Sequence, residues 1–330
     1  MKIVFFGTPE FAVGALRKLV ECKLGRVVLA VTQPDRPVGR KKIVGAPPVK
    51  TYAETQGIPV FQPEKLDTDA VAHILAAGPE VGLMVAYGNL IPKKLIAGIP
   101  RGIVNIHPSL LPKHRGATPV AGAILAGDTE TGVSLMVIDD KLDHGPIIGQ
   151  RTFALSSDET TTALLESLSP SAYEMVADEF VRYINGEITP RPQDDALATS
   201  CKEIHDAEAR IDWSAPVETI ERLVRAMHGV LPAWSVLHVW SEKPALGIVS
   251  ATSGRVPAPN DMKVLIHRAH SIMAEHDQAP GTLTEKENAP AVACADGYLL
   301  LDEVQLAGGK PMSGKALLNG HRDLIGAVLT

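Results

Sequence analysis

Short apolar runs alternate with amphipathic stretches along the first half of the chain. Buried strands of an open sheet typically read as runs of about four to eight apolar residues. Between the runs, apolar residues recur at helical spacing, as at Phe11, Leu16, Leu19 and Val20. Alternating strands and helices favour a doubly wound parallel sheet with helices on both faces. The predicted strands are residues 3–6, 27–31, 81–86, 103–106 and 132–138.

Two helices of this half carry end signals. Thr8-Pro9-Glu10 predicts a helix start, with Thr8 as the N-cap and Pro9 at the first helical position. Residues 158–184 have a mostly helical pattern that stops at Asn185-Gly186, a favourable C-terminal cap.

The pattern changes after residue 186. Residues 187–200 are polar, contain two prolines and lack periodicity, which is typical of a linker. A helix with apolar residues at helical spacing follows Ser214, and strand-like runs then occur at residues 234–240, 262–266, 291–295 and 298–304. We therefore predict an α/β domain on a doubly wound (Rossmann-like) parallel sheet at 1–188, a linker at 189–204 and a small β-barrel or sandwich at 205–330.

Composition narrows the class of protein. The 330 residues are 45% apolar and 21% charged, which is ordinary for a globular protein with two domains. No apolar run approaches the roughly 20 residues that span a bilayer, and the three scattered cysteines form no disulfide framework. We expect a cytoplasmic protein without a membrane partner. The net charge of −6 argues against a nucleic-acid binder that uses its whole surface, although a local basic patch remains open.

The polar residues at the end of the fourth predicted strand are the main candidates for chemistry. Asn105 and His107 are two residues apart, so their side chains leave an extended strand on the same face. Pro108 and Pro112 end the strand, which places the pair at its carboxyl end, where ligands bind in open parallel sheets. An amide can hold a carbonyl oxygen as negative charge develops, and an imidazole carries protons near neutral pH.

Asp143 is the candidate third member of this set. Alone it would most often be a turn residue before Gly145-Pro146, just as a lone His107 would most often be a satisfied buried histidine. Beside His107, the carboxylate would orient the imidazole and favour its protonated form. The spacing of Asn105, His107 and Asp143 does not decide whether they converge.

Other chemistries lack their sequence signals. Gly-x-Ser-x-Gly, Gly-x-Gly-x-x-Gly and the phosphate-binding Gly-x-x-x-x-Gly-Lys-Ser/Thr are all absent. His107, His114 and His144 lack the spacing of metal ligands, so no metal is expected.

A basic run follows the second predicted strand. It contains Arg36, Arg40, Lys41 and Lys42, with glycine and prolines that suit a long exposed loop. Such runs are usually solvated loops, and the functional alternative is an arm that contacts phosphates.

The motifs around the candidate set resemble those of the formyltetrahydrofolate-dependent formyltransferase superfamily. They are Asn105-x-His107, Ser109-Leu110-Leu111-Pro112, Arg115-Gly116-Ala117, Thr131-Gly132-Val133 and Leu142-Asp143. The resemblance implies that Asn105, His107 and Asp143 are catalytic and that 10-formyltetrahydrofolate is the formyl donor. It also implies folate contacts at Ser109, Leu110, Leu111, Pro112, Leu90 and Ile91.

Further segments are similar to the methionyl-tRNA formyltransferase family. They are Phe6 to Ala12, Thr32 to Arg40, Ala209 to Ser214 and Asn319 to Arg322. This resemblance implies a second domain that is an OB-like barrel, and an acceptor that is methionyl initiator tRNA, contacted by the barrel and by Arg36, Arg40, Lys41 and Lys42. We expect a monomer. A sugar-nucleotide N-formyltransferase with the same folate donor is the alternative.

Overall fold

The computed structural model describes residues 1–38, 43–239 and 260–330. The chain divides into two compact units. The first consists of Met1–Ala123, Asp128–Ser157 and Ala163–Glu203. The second consists of Ile124–Gly127, Asp158–Thr162 and Ile204–Thr330. The predicted boundaries at 188 and 205 stay a prediction.

The first unit is built on one large sheet with two short strand pairs beside it. The strands up to the carboxyl end of this unit are β1 (Lys2–Gly7), β2 (Arg26–Val31), β3 (Arg36–Val38), β4 (Ile43–Gly45), β5 (Val60–Phe61), β6 (Val81–Val85), β7 (Ile103–His107), β8 (Arg115–Gly116), β9 (Glu130–Val137), β10 (Ile147–Ala154) and β11 (Ser200–Cys201). The helices that begin before residue 190 are α1 (Glu10–Glu21), α2 (Pro48–Thr55), α3 (Thr68–Ala76), α4 (Lys93–Gly98), α5 (Pro119–Ala126), α6 (Thr161–Ala177) and α7 (Glu179–Ile184).

The large sheet has the order β10-β9-β7-β6-β1-β2-β5. The five strands from β7 to β5 are parallel, with β1 at the centre and the chain winding outward in both directions. This confirms the prediction of a doubly wound, Rossmann-like sheet. The core on one face contains Val4, Phe6, Leu29 and Val31 together with Tyr87, which meets Phe6 edge-on at 5.6 Å between ring centroids.

The prediction for this sheet is wrong about the direction of one strand and lacks another. The fifth predicted strand, β9, is antiparallel to β7, with Ser134 opposite His107. Alternation of strands and helices predicts the order of elements, but here α5 returns the chain to the carboxyl end of β7, so β9 runs back down the sheet. Strand β10, which pairs antiparallel with β9, was not predicted.

The start of α1 also differs from its prediction. The helix begins at Glu10 with Pro9 as the N-cap, and no side chain caps it. The Thr8 hydroxyl instead donates a hydrogen bond to the carbonyl oxygen of Tyr87, 3.1 Å away on the neighbouring strand connection. A tertiary contact between the segments that follow β1 and β6 has therefore replaced the predicted local cap.

Residues 189–203 pack on the first unit. Arg191 and Ile147 exchange backbone hydrogen bonds of 2.8 and 2.7 Å. Asp195–Leu197 form a 3₁₀ helix, and β11 pairs in parallel with β8. These contacts are made by separate residues and not by one face of a helix or strand, so the segment shows no hydrophobic periodicity.

The second unit is a nearly closed antiparallel barrel. Its elements are α8 (Val217–Met227), β12 (Ala233–Val239), β13 (Asn260–Met273), β14 (Leu283–Lys286), β15 (Ala289–Ala293), β16 (Gly297–Leu306), β17 (Met312–Ser313), α9 (Gly314–Gly320), a 3₁₀ helix at Arg322–Leu324 and β18 (Val328–Leu329). The sheet order is β14-β15-β16-β13-β12-β18, with β17 on β16. A bridge between Thr282 and Val328 joins the two end strands, which confirms the predicted OB-like barrel class. Trp240, the last residue of one predicted strand, lies outside the described residues.

Within the described ranges, no helix combines the length and the apolar character that a membrane span requires.

Candidate functional site

Strand β7 presents two buried polar side chains on one face. Every residue from Ile103 to His107 is buried, and β7 lies inside the sheet between β6 and β9. Asn105 is 5% exposed and His107 is 4% exposed. Burying such groups costs free energy unless they form polar contacts. Strand formation alone therefore does not explain why polar side chains are found here.

The hydrogen bonds of His107 determine its tautomer. Its Nε2 lies 3.0 Å from the carbonyl oxygen of His114. A carbonyl oxygen can only accept, so Nε2 carries the hydrogen. In the neutral ring, Nδ1 is then a free basic nitrogen, and it faces Asp143 Oδ1 at 3.8 Å.

Burial governs the charge of His107. It lowers the pKa of the imidazole below the ordinary value of 6.5, against the opposing effects of the Asp143 carboxylate and of the hydrogen bond to His114. The Asp143 carboxylate favours the protonated ring, as expected, but the effect of burial on the pKa is larger. At neutral pH the ring is neutral and is ready to accept a proton at Nδ1.

Asp143 reaches this site from a loop that folds back over the sheet. The loop leaves the end of β9 beside the start of β7, and the chain returns to pair as β10. Asp143 has a φ of 47°, in the left-handed region that costs a non-glycine residue about 1 kcal/mol or more. Its Oδ2 accepts a 2.8 Å hydrogen bond from the backbone N–H of Gly116, which leaves Oδ1 facing His107.

Exposed apolar side chains accompany these buried polar groups. Leu90 is 76% exposed and Leu142, next to Asp143, is 57% exposed, whereas Ile91 is half-buried. An ion pair of 2.7 Å between Lys93 and Asp140 joins the first residue of α4 to the loop that carries Asp143. The ion pair therefore links the segment just after Leu90 to the loop in which Leu142 precedes Asp143.

The turn at Ser109 to Pro112 is largely internal. Ser109 is fully buried and its hydroxyl donates to the carbonyl oxygen of Lys113 at 2.7 Å. Leu111 is 3% exposed and packs on Met136 and Ile147. Leu110 and Pro112 are half-buried, so they are the members of the turn with surface left for a ligand.

Arg36, the first residue of the basic run, lies on β3. Strands β3 and β4 pair antiparallel, with Arg36 opposite Gly45. The Arg36 guanidinium forms a 2.7 Å ion pair with Glu64, and both side chains are well exposed. Arg40, Lys41 and Lys42 lie outside the described residues.

Three residues that the sequence did not single out complete the arrangement. Gly116 donates to Asp143, His114 accepts from His107, and Gln193 donates to the carbonyl oxygen of Asp143 at 2.9 Å. In the sequence, Gly116 stands out only as part of a motif, and His114 only as a histidine that lacks the spacing of a metal ligand. Gln193 had no local signal, because its partners are 48 to 78 residues away in the chain.

Among residues 1–38, 43–239 and 260–330, no group of three or more His, Cys, Asp or Glu side chains could hold a metal ion. His144 pairs instead with Asp139, at 2.6 Å, and His114 pairs with Asp128, at 2.7 Å.

Comparisons with known proteins agree on one family. Residues 1–178 match the formyl transferase family model, and residues 203–322 match the formyl transferase C-terminal domain model. The chain is 42% identical over 323 residues to the methionyl-tRNA formyltransferase of Roseiflexus sp. (strain RS-1), with 98% of this chain and 93% of that protein covered. It is 40% identical to the protein of the same name from Chloroflexus aurantiacus (strain J-10-fl), with 98% and 99% covered.

Solved structures share the fold at lower identity. An N-formyltransferase from Helicobacter canadensis, in complex with folinic acid and dTDP-3-aminofucose, superposes with a TM-score of 0.63 at 16% identity. The match covers 94% of this chain and the whole of that one. At this identity the similarity shows the fold alone, and it carries no argument about the acceptor.

Proposed function

Because the chain belongs to the methionyl-tRNA formyltransferase family, we propose that it transfers a formyl group to the α-amino group of methionyl initiator tRNA. The observation that supports this most directly is the pairing of a buried imidazole with a carboxylate. His107 Nδ1 and Asp143 Oδ1 face each other at 3.8 Å while Nε2 is held by the backbone. An arrangement of this kind suits proton transfer during attack by an amine.

A folate fits the residues around this pair. Leu90 and Leu142 offer exposed apolar surface for a flat ring system, and Leu142 is next to Asp143 in the chain. We propose 10-formyltetrahydrofolate as the donor, with Leu90, Ile91, Leu110 and Pro112 in contact with it. Ser109 and Leu111 would shape the turn from inside.

The chain's own residues have distinct parts in the proposed reaction. The α-amine attacks the formyl carbon, so that a new C–N bond forms as the bond to N10 of the folate breaks. The Asn105 amide donates to the formyl oxygen as negative charge develops there. His107 Nδ1 accepts the proton that the amine loses and returns one to N10, which leaves the imidazole neutral again. The Asp143 carboxylate stabilises the transient imidazolium.

The acceptor would be recognised away from this centre. We propose that Arg36, Arg40, Lys41 and Lys42 contact phosphates of the tRNA and that the barrel supplies further contacts. Because Arg36 and Glu64 form an exposed ion pair, which is weak in water, the guanidinium can exchange to a phosphate. A cytoplasmic monomer stays a prediction.

One assay tests the reaction and the acceptor together. The protein is incubated with 10-formyltetrahydrofolate and, in parallel, with methionyl initiator tRNA, methionyl elongator tRNA, an amino-sugar nucleotide and glycinamide ribonucleotide. Formylation of the initiator tRNA alone is the expected result. Transfer to the amino-sugar nucleotide would establish the alternative reaction, and no transfer to any acceptor would contradict the proposal.

A further inference from the structure

We propose that residues 189–203, which we call the positioning segment, keep His107 and Asp143 opposite each other. Gln193 is the central positioning residue of this segment. This inference rests on the proposed function, because it concerns how that reaction's residues are held. The segment has the composition of a linker, yet it makes specific polar contacts on both sides of the candidate set.

Gln193 uses its whole amide for this purpose. Its Nε2 donates to the carbonyl oxygens of Asp143 and Gly145, at 2.9 and 2.8 Å. Its Oε1 accepts from Nε and Nη2 of Arg115, at 3.0 and 2.8 Å. Gln193 is half-buried although its immediate neighbours Pro192 and Asp194 are exposed. An amide with four hydrogen bonds has little freedom to turn, so its orientation is well determined.

The backbone that Gln193 holds is the one that needs support. Asp143 adopts a left-handed conformation, which persists in a non-glycine residue only where its surroundings impose it. Two bonds from Gln193 fix the carbonyl oxygens on the Asp143 to Gly145 turn. Without them the turn could relax, and Oδ1 would leave its place opposite His107 Nδ1.

Asp195 gives the same turn a second attachment. It accepts from Arg115 Nη2 at 2.8 Å and lies 3.4 Å from Nε2 of His144, the residue that follows Asp143. The Nδ1 of His144 is in turn 2.6 Å from Asp139, at the start of the loop. These contacts are partly exposed, so they support the placement by Gln193 without replacing it.

The other end of the positioning segment holds the partners of His107 and Asp143. The Thr199 hydroxyl accepts from the backbone N–H of His114 at 2.9 Å, and the His114 carbonyl oxygen is the acceptor for His107. Strand β11 pairs with β8, where Gly116 donates to Asp143 Oδ2. One segment therefore supports three hydrogen bonds. They run from His107 to the His114 carbonyl oxygen, from Gly116 to the Asp143 carboxylate, and from Gln193 to the Asp143 carbonyl oxygen.

The test compares two substitutions of Gln193. Gln193→Ala removes all four bonds, and Gln193→Glu keeps acceptors for Arg115 but loses both donors to the turn. Because misplacing a catalytic group by about 1 Å can cost 100-fold, we expect kcat to fall about 10- to 100-fold in Gln193→Ala. Gln193→Glu should be at least as slow, while KM for the folate donor and for tRNA changes less than about twofold in both.

Gln305→Ala is the matched control, since the Gln305 amide also donates to a loop carbonyl oxygen, that of Gly309 in the barrel, at 2.9 Å. Its kcat should stay at the wild-type value.

Two readouts separate positioning from a general loss of structure. In an Asp143→Asn background, adding Gln193→Ala should lower kcat no further, because Gln193 acts through Asp143. NMR titration of the His107 ring, which needs no activity, should show its pKa lowered further in Gln193→Ala, since the Asp143 carboxylate that raises this pKa has moved away. If the wild-type protein formylates no acceptor, the proposed function fails while the NMR result still decides the positioning.

Three outcomes would overturn the proposal. They are a wild-type kcat in Gln193→Ala, a wild-type kcat in Gln193→Glu (Gln193 then acts only on Arg115), or multiplicative losses in the double variant. Should the Gln193 variants fail to fold, Thr199→Val tests the other end of the segment. It removes the acceptor of the His114 N–H at nearly constant volume and should also lower kcat, and an unchanged kcat would contradict the role of the segment.

Discussion

His107 donates the hydrogen on Nε2 to the main-chain oxygen of His114 across 3.0 Å. This bond assigns the proton of the neutral ring to the nitrogen that faces the backbone. It leaves Nδ1, opposite Asp143, as the nitrogen that can exchange a proton with a substrate. The reactivity of His107 thus depends on a carbonyl group seven residues later in the chain.

The first prediction concerns pH. Burial lowers the pKa of His107 below 6.5 in the folded protein, while the unfolded chain keeps the ordinary value. Between the two values the unfolded state binds a proton that the native state does not, so acid favours unfolding there. The contribution of neutral His107 to stability is full above pH 6.5 and is progressively lost as the pH falls toward the folded pKa. The kcat profile should keep its neutral-pH value to below pH 6.5 before it declines.

Denaturant unfolding of wild type and His107→Gln at pH 7.5 and about 5.5 measures the stability effect. The advantage of the wild type should shrink at the lower pH. His205→Gln, at an exposed position, controls for the substitution itself. An advantage that grows on acidification would mean that His107 is protonated in the fold.

The second prediction concerns Gly116. Its φ is 126°, and a Cβ there would lie 2.0 Å from the carbonyl oxygen of Cys201. Gly116→Ala should therefore separate β8 from β11, cost about 1–3 kcal/mol of stability and lower kcat, because the N–H bound to Asp143 moves.

Gly186→Ala is the matched control for this change. Gly186 also has a positive φ, 79°, but no atom lies within 4 Å of its added Cβ. It should lose about 1 kcal/mol from backbone strain and keep kcat. Equal loss of kcat in both variants would show that strain alone is responsible.

The third prediction concerns the exposed Leu90. Leu90→Ser should raise KM for the folate donor about 10-fold, because apolar area buried by the ligand is lost. Its kcat and thermal stability should hardly change, since the side chain is 76% exposed without ligand. Met273→Ser, at a 60% exposed position of the barrel, should leave KM for folate unchanged. An unchanged KM in Leu90→Ser would remove this residue from the folate site.

The fourth prediction concerns Arg36 and its ion pair with Glu64. Arg36→Ala should weaken tRNA binding and reduce the slope of log K against log salt by about one unit. Glu64→Gln should tighten binding, because it releases the Arg36 guanidinium from its 2.7 Å ion pair. Arg182→Ala removes another exposed, ion-paired arginine and should have no effect on tRNA binding. Wild-type salt dependence in Arg36→Ala would place the phosphate contact elsewhere.

The sequence predicts the parts of this protein that depend on local pattern. The apolar runs locate β1, β2, β6 and β7, because a buried strand is mostly apolar. They do not predict the direction of β9, which depends on how α5 returns the chain. Strand β10 is half-buried along much of its length and alternates too weakly to be recognised beforehand.

The candidate site, too, can be predicted from the sequence only where it depends on local pattern. The i, i+2 spacing of Asn105 and His107 follows from strand geometry, so their common face was predictable. The approach of Asp143 depends on a left-handed turn and on Gln193, whose contacts span 48 to 78 residues. The protonation of His107 depends on burial, which no motif describes.

The most direct test of the account is the single-turnover rate of formyl transfer to methionyl initiator tRNA by wild type and Asp143→Asn. The substitution keeps the size of the side chain and an acceptor for Gly116, and it removes the charge that stabilises the imidazolium of His107. The account predicts a rate lower by about 100- to 1000-fold with native stability. A wild-type rate in Asp143→Asn would contradict it.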